Sequence, residues 1–367
     1  MSRNSTYQQD LIAIAEQELA RGRIHRRDFL WLTAALGAVP ALGLGPASAQ
    51  TRDLTIANFG GEATKHYTTA WTDPFTIDTG VKVKIDGGGP LPGKIKSQVD
   101  AKNVIWDVAD GDGYYSPQLG PQGYLEPIDY TIVDRKNVWE NWAWPYAVNN
   151  YTYSYVLAYD TTKVKGVPSW ADFFDTKKYP GKRAMFKYFQ GTGEQILLGD
   201  GVAPDQIYPL DMKRVIAKAK SLGKDFFLWD SGAASQQMFL DGEVVMASIW
   251  HTRAYLLKRD TKGRIDFTWI EGLRCPGAWV IPKGVKDVKL CNQFIASTLD
   301  PARQVKLLDL LGNGPSNPRG SQLASGEITA KDPSNAANLK LQITRDEDWY
   351  ARFGDDALDQ WLDGMSG

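Results

Sequence analysis

The sequence predicts an α/β protein built as two lobes with a binding cleft between them. Three observations predict it. Short apolar strands alternate with helical stretches from residue 53 onward. Several strands end in glycine-flanked polar residues, as Trp106-Asp107-Val108-Ala109-Asp110 does in Gly111-Asp112-Gly113. Strand-like runs at 153–159 and around Trp269-Ile270-Glu271-Gly272 and Trp279-Val280-Ile281-Pro282 carry the chain between lobes at least twice. Ligands of open α/β sheets bind just outside the carboxyl ends of strands, and a cleft between two lobes closes by hinge motion at the crossing strands.

The first 49 residues read as an address. Arg26-Arg27-Asp28-Phe29-Leu30 precedes an apolar run at 31–44 and then Ala47-Ser48-Ala49. A positive segment, an apolar segment and a small-residue cleavage site make a secretory signal. The paired arginines make it similar to a twin-arginine signal, so the mature chain is expected to begin at Gln50 and work in the periplasm. The apolar run is short and broken by Gly37 and Pro40, which argues against a membrane anchor. A formal net charge of -1 over 367 residues argues against a nucleic-acid or anionic-membrane surface. Thirteen Trp and sixteen Tyr supply aromatic faces for ligand sandwiching beside an ordinary core. Cys275 and Cys291 fit either one disulfide or two buried thiols.

In the mature chain, residues 53–58 form a strand that runs into Phe59-Gly60-Gly61. A helix follows over 62–71 and a second strand over 81–85, giving one βαβ unit. Glycines at such a junction let backbone N–H groups approach a polar ligand closely. A helix over 94–102 leads to a strand over 106–110 and a polar loop, where Asp112 either faces the crevice or stabilises its turn. Ser169 with Asp172 makes a capping box. Gly191-Thr192-Gly193-Glu194 opens a helix, Asp211 caps another, and 231–240 is a third. Asp241-Gly242 then turns the chain into an apolar strand from Val244, which delivers Trp250, His251 and Arg253 at its far end. An aromatic and a charge three residues apart at a strand end suit a small polar solute, although Trp250 capping a core and Arg253 pairing at the surface fit the same residues. Asp300-Pro301 opens a helix that Gly312 closes.

Taken together, Phe59-Gly60-Gly61, Trp106-Asp107-Val108, Val167-Pro168-Ser169-Trp170-Ala171-Asp172, Tyr179-Pro180-Gly181-Lys182 and Gly242-Glu243-Val244, closing with Ile281-Pro282-Lys283-Gly284, resemble the solute-binding proteins of ABC importers. The branch they resemble is the spermidine/putrescine-like one. The resemblance spans essentially the whole mature chain. It implies the type II periplasmic-binding fold with a hinged interlobe cleft. The expected division is a signal at 1–49, the first part of lobe 1 at 50–159, lobe 2 at 160–274, and a return to lobe 1 with C-terminal helices at 275–367. Implied partners are a small-molecule ligand and an inner-membrane permease with its ATPase; the default state is a monomer without cofactor.

The site departs from the polyamine pattern. Trp250 matches the family tryptophan, but Arg253 stands where the pattern has an aspartate, and Gly277 stands where it has a second one. Arg for Asp reverses a charge in a cleft where unit charges interact by about 4 kcal/mol at 4 Å and an effective dielectric of 20. Arg253 offers a planar fork for a carboxylate, while Asp112 and Glu194 remain to hold an amine. The expected ligand site is therefore Phe59, Gly60, Gly61, Asp112, Glu194, Trp250, Arg253 and Trp279. The expected ligand is a zwitterion or carboxylate, with a true polyamine as the alternative. A secreted enzyme is the reading from another class. With His66 and His251 as the only imidazoles after the signal, and with no G-x-S-x-G, H-E-x-x-H or P-loop pattern, it rests on His251 acting as a base beside Glu194. A non-transporting docking protein on the same fold is a third reading.

Overall fold

The computed structural model describes residues 53–366; the expected export signal lies outside them. Eleven strands are found among the described residues: β1 (Leu54–Ala57), β2 (Val83–Asp86), β3 (Val108–Asp112), β4 (Leu125–Glu126), β5 (Ala147–Asp160), β6 (Lys182–Phe186), β7 (Phe226–Trp229), β8 (Val244–Trp250), β9 (Ile265–Pro282), β10 (Gly314–Pro315) and β11 (Ile343–Thr344). The main order is β2-β1-β3-β9-β5-β8-β6-β7. β1 runs parallel to β2 and β3, and β6 runs parallel to β7 and β8. These two parallel wings are the lobes. The antiparallel pair β5 and β9 joins them, pairing from Ala147↔Val280 to Asp160↔Ile265.

Both crossing strands are single long strands. β9 passes through 274 and 275 without interruption. Its irregularity lies slightly earlier, where the register against β5 shifts between Tyr155 and Leu157. There Glu271 has φ 54, a sparsely populated conformation for a residue with a side chain. The Glu271 carbonyl accepts from Trp170 Nε1 at 3.0 Å, which ties the kink to the helix Trp170–Phe174.

The end signals written in the sequence act as expected. Ser169 and Asp172 form both halves of a capping box, Asp211 caps Met212–Lys220, and Pro301–Leu311 runs from its Asp300 cap to a left-handed Gly312. The helix expected over 62–71 is Glu62–Tyr67, then a π-helical segment Thr68–Thr72, then Asp73–Thr79. Pro74 has no N–H to give the preceding turn, so the α-register changes just before it. The strand expected to end at Asp110 runs on to Asp112. Cys275 and Cys291 are buried and stand as thiols.

The C-terminal helix Glu347–Met365 buries Trp349, Tyr350, Ala357 and Trp361. Trp361 donates to the Lys187 carbonyl at 3.0 Å beyond β6, while Asp355 accepts from Gln118 at 2.9 Å beyond β3. The last helix therefore touches both lobes and does not return to the first alone. No helix among the described residues is long and apolar enough to cross a membrane.

Candidate functional site

A cavity of about 50 Å³ lies where the ends of β3 and β8 face the middle of β5. A water needs about 10–15 Å³ by this measure, so the space suits a compact solute rather than a large conjugate. Arg253, Asp110, Asp112, Phe59, Trp250 and three tyrosines of β5 are among its lining residues.

Arg253 arrives by the route the sequence marked. Strand β8 is buried along Val244–Ile249 and breaks at Trp250 into the helix His251–Asp260. This places Arg253 in the first turn, 2% exposed. Its Nη2 donates to the Gly60 carbonyl at 3.3 Å, but Nε and Nη1 have no partner. No carboxylate among the described residues forms an ion pair with it. Burial lowers its pKa, with Tyr67 and Tyr151 opposing; a guanidinium keeps its charge regardless. Nε packs against Gly232, while the unpartnered Nη1 beside Nη2 forms the end-on edge of a buried planar cation, the edge that takes an anion with two oxygens.

Gly60 and Gly61 shape the opposite rim rather than line the cavity. Gly60 has φ 69, and a Cβ there would sit 2.9 Å from the Gly87 carbonyl oxygen, so only glycine lets the loop present its carbonyl to Arg253. Phe59 meets Trp250 edge-on at 5.7 Å, and Trp250 rests on Trp229 at 5.0 Å and Phe186 at 5.5 Å. This aromatic wall joins loops of both lobes.

The acid facing the cavity without a cation is Asp110, expected only as the last residue of its strand. Asp110 and Asp112 are two apart on β3 and share a face. Asp110 accepts from Tyr67 Oη at 2.8 Å, Asn150 Nδ2 at 2.9 Å and Tyr151 Oη at 2.9 Å. Burial pushes its pKa up to about 7 against these hydrogen bonds. Asp112 also lines the cavity, but Arg345 Nη2 lies 3.0 Å from it and Tyr153 Oη donates to it at 2.8 Å. Arg345 is fully buried and pairs with Glu347 at 2.6 Å as well. Asp112 thus already has a cation partner, shared with Glu347 and supplied from 233 positions away, for which no local signal exists.

Two expected ligand residues lie elsewhere. Glu194 is buried in the helix Thr192–Gly199, where Tyr208 donates to one oxygen and Tyr350 to the other at 3.1 Å; burial raises its pKa. Trp279 is wholly buried between Trp71 (5.4 Å) and Phe294 (5.8 Å), and donates to Thr298 Oγ1 at 2.9 Å. It shares a sheet face with its strand partner Asp110, but Tyr67 and Trp71 cover it. Tyr67, packed on Trp279 at 6.2 Å, reaches the cavity in its place. His251 does not suit general-base work. Its Nδ1 accepts from Ser154 N–H at 3.0 Å, Nε2 contacts the Gly312 carbonyl at 2.8 Å, and burial lowers its pKa to about 4. Among the described residues no group of three or more His, Cys, Asp and Glu is placed to hold a metal.

Position 277 has no room for the aspartate of the polyamine pattern. It pairs with Asp112 on one side and Tyr151 on the other, and the Tyr151 ring crosses above it toward Asp110. A Cβ at 277 would lie 2.7 Å from that ring. Gly277→Asp is therefore expected to displace Tyr151 and cost about 1–3 kcal/mol through overpacking, read as a lower Tm, without creating a diamine site.

A family model described as bacterial extracellular solute-binding protein matches residues 70–337. The gamma-aminobutyric acid-binding protein of Pseudomonas aeruginosa is 28% identical over 320 residues, covering 84% of this chain and 90% of that protein. A solved GABA receptor is 31% identical with a TM-score of 0.76, covering 85% of this chain and 97% of that one. The binding protein AgtB of Agrobacterium tumefaciens R10, solved with agropinic acid, is 27% identical with a TM-score of 0.81, covering 86% and 99%. These relatives are binding proteins, not enzymes. With a two-lobed fold, a cleft cavity and a family match over most of its length, the chain belongs to the bacterial extracellular solute-binding proteins that serve ABC transporters.

Proposed function

We propose that this protein captures a compact amino-carboxylate of the 4-aminobutyrate class and delivers it to an inner-membrane ABC permease and its ATPase. Arg253 carries the reading: a buried cation with no carboxylate partner among the described residues and an unpartnered terminal nitrogen calls for a carboxylate. The ammonium end is received by Asp110 and the electron-rich faces of Tyr151, Tyr153 and Tyr155. Cations near such faces gain about 0.5–2 kcal/mol. Because Arg345 is engaged by Asp112 and Glu347, Arg253 and Asp110 are the cation and carboxylate left to face a ligand, and a zwitterion matches that pair better than a diamine. Two relatives named for gamma-aminobutyric acid support the same class. The spermidine/putrescine-like motifs are then a mark of the wider fold family, with the ligand changed at Arg253 and Gly277. Export by a twin-arginine signal, a mature chain from Gln50 and a monomeric state belong to this proposal. Calorimetric titration with 4-aminobutyrate, putrescine, spermidine and a dicarboxylate tests it; binding of the polyamines alone would sink it.

The proposal carries a pH dependence. Asp110, with a pKa of about 7, must be ionised to hold an ammonium group. Below that pH the ligand has to displace a proton, so affinity falls as pH drops. Between pH 8 and pH 6 the Kd of 4-aminobutyrate is expected to rise about tenfold. In Asp110→Asn affinity is lower and the slope disappears.

A further inference from the structure

The ligand cavity meets a larger one at a single side chain. Gln190 lines both the 50 Å³ cavity of Arg253 and a neighbouring cavity of about 460 Å³. The larger space lies between the helix Pro92–Asp100, which offers Lys94 and Lys96, and the C-terminal helix, which offers Tyr350, Asp355 and Asp359. The Gln190 amide donates to Tyr114 Oη, and Tyr114 lines the larger cavity only.

Neither partner of this partition is free to swing away. Tyr114 is 3% exposed. Its backbone N–H donates to Glu347 at 2.7 Å, and its ring is held against Tyr115 at 4.9 Å and Tyr350 at 5.5 Å, with the Arg345 guanidinium 5.1 Å from its centre. Gln190 sits between two residues of positive φ, Phe189 at 73 and Gly191 at 76. Its own N–H donates to the Tyr188 carbonyl at 2.9 Å. The local backbone therefore fixes the direction in which the amide leaves the chain.

We propose that Gln190, backed by Tyr114, is the specificity-determining residue that sets ligand length. It closes the small cavity against the large one. Amino-carboxylates that end inside the first are accepted, and those whose chain must continue into the second are excluded. Truncating Gln190 joins the two spaces, and the charged rim of the larger one can then solvate the polar end of a longer chain. This inference rests on the cavity of Arg253 being the ligand site, as proposed above.

The test is the ratio of Kd values for a long and a short ligand, measured by calorimetry on the wild type, Gln190→Ala and Gln190→Met. One series runs from 4-aminobutyrate to 8-aminooctanoate, and a parallel series uses α,ω-diamines of matching length. In the wild type the long ligand is expected to bind at least a hundredfold more weakly than the short one. Gln190→Ala should bring that ratio below tenfold. Gln190→Met, which keeps the bulk and loses the hydrogen bond, should retain most of the discrimination. Gln190→Ser stands in should the alanine variant fail to fold. A ratio unchanged by truncation overturns the proposal. Binding of diamines without amino acids would sink the amino-carboxylate reading, while the wall is still read from the diamine lengths. Binding of neither series overturns both.

Discussion

Replacing Arg253 with methionine is expected to weaken ligand binding by roughly thirtyfold or more while leaving the ligand-free protein at least as stable as the wild type. The two effects have one cause. Arg253 is buried, with Nε and Nη1 unpartnered, so in the empty protein it is a desolvated cation that no carboxylate offsets. Breaking a buried, hydrogen-bonded charge pair costs about 2–5 kcal/mol, and at about 1.4 kcal/mol per decade the Kd should rise from roughly thirtyfold to more than a thousandfold. In the free protein the sign reverses, because methionine has similar length and no charge to bury. Arg253→Lys is expected to fail as well: a point charge does not reproduce the two-pronged fork. Paired melting curves with and without 4-aminobutyrate read both effects. A variant that loses Tm in the empty protein as severely as it loses binding would mean that Arg253 is structural.

How far the sequence reveals this site depends on how local the determinants are. The turn at Asp241-Gly242, the apolar run after it and the delivery of Trp250 and Arg253 are events within about a dozen residues, and each is legible. So are the caps at Ser169, Asp211 and Asp300. The three tyrosines of β5 are written as an alternation, Tyr151-Thr152-Tyr153-Ser154-Tyr155, and period two puts them on one face. Which face meets the cavity depends on β9 lying beside β5, a pairing between positions more than a hundred residues apart. Glu194 shows the opposite error. A carboxylate behind Gly191 and Gly193 at a helix start looks like a ligand group, yet Glu194 lies outside the cavity lining, held there by Tyr208 and Tyr350. Asp110 and Asp112 are a case of exchange. The sequence marks Asp112, at the glycine-flanked strand end. The fold hands Asp112 to Arg345 and leaves Asp110 facing the cavity without a cation. Charge in this cavity is decided by tertiary partners, which a one-dimensional pattern does not carry.

Arg345 is the clearest instance, and its removal is the second large effect expected. The guanidinium is fully buried, pairs with Asp112 at 3.0 Å and Glu347 at 2.6 Å, and lies about 5 Å from the Tyr114 and Tyr350 ring centres. Burial works against its charge, and the two acids overcome that and raise its pKa. Arg345→Met leaves two neighbouring buried carboxylates without a cation, and breaking such a pair costs about 3–5 kcal/mol. The pH dependence has a definite sign. Burial lifts Glu347 to about 7 even with Arg345 beside it, so without Arg345 its proton is held more tightly still in the folded state. A folded-state pKa raised above the unfolded value means stability is lost as pH rises. The deficit of the variant should accordingly be small near pH 5 and full near pH 8 in urea unfolding. Adding Glu347→Gln should recover part of it at pH 8. The consequence for function follows from Asp112. Freed from Arg345, it adds a negative charge to the cavity wall, and selectivity should move from 4-aminobutyrate toward putrescine. A variant destabilised equally at both pH values, or one whose ligand ratio does not move, would show that Arg345 acts by packing between Tyr114 and Tyr350 and not by setting the charge of the site.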